Sequence, residues 1–198
     1  MLIVALGDST TAGTPGFVSP REAPPDGRGD VTSQYAYWLM KAHADWHVIN
    51  QGINGQRSDE IRARFERDVV AHRPSVVVII AGVNDVYQGF GSEHVERELA
   101  AMYEDAARAG ISVVAGSILP YDTATPDQNA RMHEINAWIE AHARQNPGIC
   151  FADTRAAVAS PAHPDLLSSS ADRLHPDADG YRRMADAIAP AIERLLRR

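Results

Sequence analysis

Residues of the kinds that acyl transfer requires occur at four separated places in this chain. Ser9 lies in Gly7-Asp8-Ser9-Thr10, two glycines, Gly52 and Gly55, lie in the stretch 50–55, Asn84 lies in Gly82-Val83-Asn84-Asp85, and Asp172 precedes His175 by three residues. A serine hydroxyl is a poor nucleophile until a base takes its proton, and an imidazole is a good base when a carboxylate fixes its tautomer and steadies the imidazolium. Ser9, His175 and Asp172 fit those three roles. The reaction also needs donors aimed at the charge that develops on the carbonyl oxygen. The amide of Ser9, the amide of a glycine in 50–55 and the carboxamide of Asn84 are the candidates. Taken singly, each has an ordinary structural explanation: serine caps helices, Asn84 and Asp85 suit turns, and either glycine suits positive φ. Their joint occurrence, each where a strand is expected to stop, is what favours chemistry. Asp8 reads as structural, tying the turn to nearby amides, and His163, which also precedes a proline, lacks an acid three residues earlier.

The elements that must position these residues alternate between strand and helix. Leu2 to Leu6 is an apolar run with the character of a strand buried on both faces. Further strands are expected at 47–50, 75–81, 111–119 and 149–152, with 75–81 (SVVVIIA) apolar throughout and therefore central. Helical spacing appears at Tyr35, Trp38, Leu39 and Ala42; at Ile61, Phe65 and Val69 after a capping Ser58; and at Val95, Leu99, Met102 and Ala106 after a capping Ser92. Thr125-Pro126 opens another helix carrying Met132, Ile135 and Ile139, and a last one from about residue 178 carries Tyr181, Met184, Ile188, Ile192 and Leu195, with Pro190 expected to kink it. Such alternation implies right-handed βαβ units. The expected fold is an α/β three-layer sandwich with a five-stranded parallel sheet in the order 2-1-3-4-5, which brings the ends of strands 1, 2 and 3, and so Ser9, Gly55 and Asn84, to one rim. The Pro/Gly-rich segment 13–30 is a long loop expected to wall the pocket, since it leaves from the nucleophile turn.

Composition removes several classes. The 198 residues suit a single catalytic domain, 1–198, and no apolar run approaches the ~20 residues a bilayer span requires. A net charge of −7 with only two adjacent arginine pairs argues against a nucleic-acid partner. The lone cysteine, Cys150, reads as a buried small hydrophobe, and a strand beginning at residue 2 leaves no room for a cleavable leader, so the expected compartment is the cytoplasm. Neither phosphate-binding glycine motif occurs, H-E-x-x-H is absent, and so is the G-x-S-x-G elbow, so neither a nucleotide cofactor nor a metal is expected. A response-regulator-like binding module would explain the sheet and Asp8, but not Asp172 with His175.

With these residues in view, the chain resembles the GDSL, or SGNH, family of esterases and lipases over nearly its whole length. The first block reads Gly-Asp-Ser-Thr, with threonine in place of the family's leucine at a non-catalytic position. The resemblance implies Ser9 as nucleophile, Asp172 and His175 as acid and base, and an oxyanion hole of Ser9, Gly55 and Asn84, with Gly55 matching the family's glycine better than Gly52. It implies no cofactor and a small-molecule ester substrate. The expected reaction is hydrolysis of short-chain acyl or acetyl esters through an acyl-enzyme; the alternatives are a carbohydrate O-acetyl deacetylase, a lysophospholipase or thioesterase, or a silent binding module. Activity is expected to rise with pH as His175 becomes a free base, ~6.5 being the ordinary imidazole value.

Overall fold

The computed structural model describes residues 1–197. Runs rich in valine, isoleucine and leucine become five strands: β1 (Leu2–Gly7), β2 (His47–Gly52), β3 (Val76–Ile80), β4 (Ser112–Gly116) and β5 (Ile149–Ala152). They pair in parallel throughout, in the spatial order β2-β1-β3-β4-β5. The expected doubly wound sheet is the one observed. The direction in which successive strands are added across the sheet reverses between β1 and β3, the place where such sheets open a crevice beyond the strand ends.

Alternate side chains of each strand feed two cores. Val4, Leu6, Val77, Ile79 and Val113 pack on one face against α3 (Ser58–Ala63), α4 (Phe65–Asp68), α6 (Ser92–Arg108) and α7 (Pro126–Gln145). On the other face, Ile3, Ala5, Val76, Val78 and Val114 pack against α2 (Tyr35–Ala42) and α9 (Ala178–Leu196). The helical stripes follow the expected spacing because those positions face the sheet: Leu99, Met102, Ile135, Ile139, Met184 and Ile188 are all fully or almost fully buried. Burying one such side chain contributes about 1.5–3 kcal/mol.

Several local expectations are corrected. The region 58–69 is two short helices that break at Arg64, because the Arg64 side chain turns inward while Ile61 and Phe65 keep their places in the core. Ser58 does not cap its helix; its hydroxyl donates to the Asp85 carboxylate at 2.7 Å. Ser92 likewise donates to Glu134 at 2.6 Å, and both serines are the first residues inside their helices. The inward face of α2 is Tyr35, Ala36 and Leu39, with Ala42 exposed. The last helix runs through Pro190 as one element.

Segment 13–30 does not wall the pocket. It forms a two-stranded antiparallel ribbon, Phe17–Val18 against Arg28–Gly29, and leans on the loop after β2. The Ser19 hydroxyl donates to the Gly52 carbonyl at 2.6 Å, and Glu22 accepts from the Asn54 side chain at 2.6 Å. Polar side chains reaching sideways to the glycine loop, one to its backbone and one to a side chain, and not the Pro/Gly content, decide where this loop lies.

Candidate active site

β1 stops where Gly7 must approach its neighbours closely: a Cβ there would stand 2.4 Å from the Ile80 carbonyl and 2.2 Å from the Thr11 hydroxyl. Asp8 then caps the short helix α1 (Ser9–Ala12), its carboxylate accepting from the Thr10 amide at 2.9 Å. Ser9 is the first residue of that helix, so its N–H has no intrahelical acceptor. Behind it, the Thr11 hydroxyl meets the Tyr35 hydroxyl at 3.1 Å, and Tyr181 of α9 donates to the Thr14 carbonyl at 2.6 Å. The turn is braced by side chains from two helices.

His175 arrives from the long connection after β5. Its Nε2 lies 2.9 Å from the Ser9 Oγ, and its Nδ1 lies 2.7 Å from one oxygen of Asp172. The other Asp172 oxygen accepts from the amides of Leu174 and His175, both at 2.9 Å. Partial burial works to raise the Asp172 carboxyl, but the His175 ring and those two amides outweigh it and hold the carboxyl down to about 2. Asp172 therefore stays an anion and an acceptor at any ordinary pH. Arg173, inside this turn, adopts a left-handed backbone with φ 66°, and its carbonyl accepts from the Asp122 amide at 2.9 Å. A hydroxyl, an imidazole and a carboxylate in this sequence of contacts can pass the Ser9 proton to His175 while Asp172 stabilises the resulting cation.

The two glycines of 50–55 separate by environment. A Cβ on Gly52 would stand 2.1 Å from the Ala12 amide nitrogen, so Gly52 is needed for close packing. Gly55 has φ +73° with nothing near a hypothetical Cβ, and lines the cleft beside Ser9. Asn84, in α5 (Val83–Tyr87), also lines the cleft; its carboxamide donates one hydrogen to the Gln56 carbonyl at 2.9 Å and has a second available. Asp85 is fully buried and accepts from both the amide and the hydroxyl of Ser58, at 2.9 and 2.7 Å. It holds the backbone at the start of α3 from inside α5, a helix where the sequence suggested a turn.

The cleft has a volume of about 200 Å³ and opens to solvent on one side. Ser9, Asn54, Gly55, Asn84 and His175 give it a polar base, and Val83, Leu119, Pro120 and Leu174 give it apolar walls. Tyr87, 59% exposed, stands at the rim with its ring edge-on to Tyr121, 5.8 Å between centroids. Tyr121 is 2% exposed and its hydroxyl has no hydrogen-bond partner. Phe90 does not join the lining; it lies under the Arg57 guanidinium, 5.4 Å from ring centre.

Among the described residues, three metal-type donors converge at Asp59, Asp85 and His94. Arg57 already engages Asp59 through two hydrogen bonds, and Ser58 engages both oxygens of Asp85. No helix of the described chain is long and apolar enough to cross a membrane. Three residues around the site went unread in the sequence: Asn54, Gln56 and Arg64. Only Arg64 left a trace, a charge next to Phe65 within an otherwise apolar stripe.

A doubly wound parallel sheet with a hydrogen-bonded serine, histidine and aspartate at its crevice defines a class of three-layer α/β proteins that place functional groups on the turns and loops at the strand ends. The GDSL-like lipase/acylhydrolase family model matches residues 5–183, and the chain belongs to that family of carboxylic-ester hydrolases. Among curated proteins it is 28% identical to an acetylxylan esterase of Geobacillus stearothermophilus over 158 residues, 73% of this chain and 71% of the other. It is 27% identical to the esterase TesA of Pseudomonas aeruginosa over 180 residues, 84% of this chain and 82% of the other. Among solved structures, a GDSL-like lipase from Bacteroides thetaiotaomicron superimposes with a TM-score of 0.76 at 28% identity, covering 97% of this chain and 87% of that one.

Proposed function

We propose that this protein is a serine esterase that hydrolyses short-chain, and in particular acetyl, carboxylic esters. The observation that carries this reading is the contact chain Ser9 Oγ, His175 Nε2 at 2.9 Å and Asp172 at 2.7 Å, opening on the cleft that Gly55 and Asn84 also line. Ser9 attacks the acyl carbon as His175 takes its proton. The oxyanion is held by the amides of Ser9 and Gly55 and the second carboxamide hydrogen of Asn84. His175 returns the proton to the departing alkoxide, leaving an acyl-enzyme. Water, deprotonated by the same imidazole, then attacks the acyl carbon, and Ser9 leaves with its proton restored.

A carbohydrate O-acetyl ester is the second reading, favoured by similarity to the Geobacillus acetylxylan esterase and by an exposed aromatic, Tyr87, at the rim of a cleft with a polar base. Hydrolysis of p-nitrophenyl esters of increasing acyl length, of acetylated xylooligosaccharides, and fluorophosphonate labelling mapped by mass spectrometry test both. The expected result is fastest turnover on the shortest acyl chains, a label on Ser9, and loss of at least about 10³-fold in kcat for Ser9→Ala. Unimpaired hydrolysis by Ser9→Ala would overturn the mechanism, and a preference for long acyl chains would overturn the substrate.

A further inference from the structure

Arg64 sits at the break between α3 and α4, 5% exposed, with its guanidinium directed under the site. Its Nη2 donates to the Gly7 carbonyl at 2.8 Å, two residues before Ser9. Nη1 donates to the Gln51 carbonyl at 2.8 Å, at the end of β2, and to Asp68 at 3.0 Å. Nε donates to the Gln56 side chain at 2.7 Å, next to Gly55. The backbone carbonyl of that same Gln56 accepts from Asn84 at 2.9 Å. One planar cation therefore touches the nucleophile turn and both ends of the glycine loop, and through Gln56 it reaches the third oxyanion donor. Asp68, 1% exposed, holds the guanidinium from below and also pairs with Arg67 and Arg21, so the fork is itself held in place.

Removing such a buried cation's partners is costly, and a lysine could not replace it, because a compact ammonium lacks the fixed fork that meets acceptors in several directions. Oxyanion donors work by being in place before charge develops. We propose that Arg64 is a positioning residue that fixes the spacing between the Ser9 turn, the Gly55 loop and Asn84, acting on Asn84 through Gln56. This rests on the assignment of Ser9, Gly55 and Asn84 made above.

The test is steady-state kinetics on p-nitrophenyl acetate for Asn84→Ala, Gln56→Leu, Arg64→Lys and the double variant Gln56→Leu/Asn84→Ala, with thermal melts of each. Asn84→Ala is expected to lower kcat by about 10²-fold, the usual loss for one oxyanion donor. Gln56→Leu is expected to lower kcat by about tenfold while KM stays within about twofold, a fraction of that loss because the Asn84 donor is displaced and not deleted. In the Asn84→Ala background the Gln56→Leu effect should largely vanish, since nothing remains for Gln56 to position. Arg64→Lys should lose at least as much kcat as Gln56→Leu; if it fails to fold, Gln56→Leu and the double variant still decide the matter. Wild-type kcat in Gln56→Leu, or losses that simply add in the double variant, would overturn the positioning role. Wild-type turnover in Asn84→Ala would instead overturn the oxyanion assignment on which it rests.

Discussion

Two aspartates stand close to the Ser9 and His175 contact, and their surroundings push them in opposite directions. Asp8 is completely buried, accepts from the Thr10 amide through one oxygen, and leaves the other oxygen without any partner. Burial drives its carboxyl up to about 6, against the opposing pull of Thr10 and His175. Asp172, with a side chain 32% exposed, is held down to about 2 because three N–H groups converge on it despite partial burial. The contrast teaches that depth and donors decide together: full burial with one amide donor leaves the Asp8 carboxyl raised, whereas partial burial with three N–H donors leaves Asp172 an anion fit to serve a histidine. The Ser9 turn is buried behind and fixed by long-range side-chain bonds; the turn that carries His175 is partly exposed and fixed by its own amides.

The sharpest way to break this comparison is Asp172→Asn. An amide in place of the carboxylate leaves the turn geometry largely intact but removes the anion that selects the tautomer, and kcat is expected to fall by on the order of 10⁴-fold, measured on p-nitrophenyl acetate. A fall of less than tenfold would mean that the base side does not depend on its carboxylate. Next comes the pH dependence of stability. Asp8 keeps its proton in the folded protein up to about pH 6, whereas the unfolded chain releases it near 3.8. The folded state therefore binds more protons between those values, and its stability falls as pH rises from about 4 to 6, by roughly 3 kcal/mol if the full shift is expressed. Denaturant melts across that window should show the slope in wild type and not in Asp8→Asn. The smallest effect concerns the base turn alone: Arg173 has φ 66°, a conformation that is unfavourable for a residue with a Cβ by about 1–2 kcal/mol. Glycine relieves this but loses more entropy on folding, so Arg173→Gly should raise stability by at most about 1 kcal/mol, a shift of a few degrees in Tm. A lowered Tm would show that the Arg173 side chain stabilises the turn more than its backbone strains it.

Much of this molecule was legible because the signals are local. Apolar runs such as 75–81 report burial on both faces, and the stripes Val95, Leu99, Met102 and Met132, Ile135, Ile139 report which helix side meets the sheet. The alternation of elements implied a parallel sheet, the commoner doubly wound order for five strands supplied its arrangement, and that order placed Ser9, Gly55 and Asn84 along one cleft. What was illegible depends on bonds between distant residues. Ile61, Phe65 and Val69 keep a helical spacing across two helices, so nothing in the pattern shows that the chain breaks between them. Ser58 and Ser92 have the residue type of caps, yet each hydroxyl finds a carboxylate from another element, buried Asp85 or exposed Glu134. The loop 13–30 announces itself by composition, but its placement behind the glycine loop depends on Ser19 and Glu22 reaching Gly52 and Asn54.

The serine and the histidine that meet at 2.9 Å are 166 positions apart in the chain. A ribosome therefore makes Ser9 long before it makes His175. On the reading proposed above, a nascent or truncated chain that lacks His175 carries Ser9 with no imidazole to activate it and is expected not to turn over esters. Recovery of turnover after dilution from denaturant should accordingly lag behind recovery of the sheet, making activity a clock for the last stage of assembly.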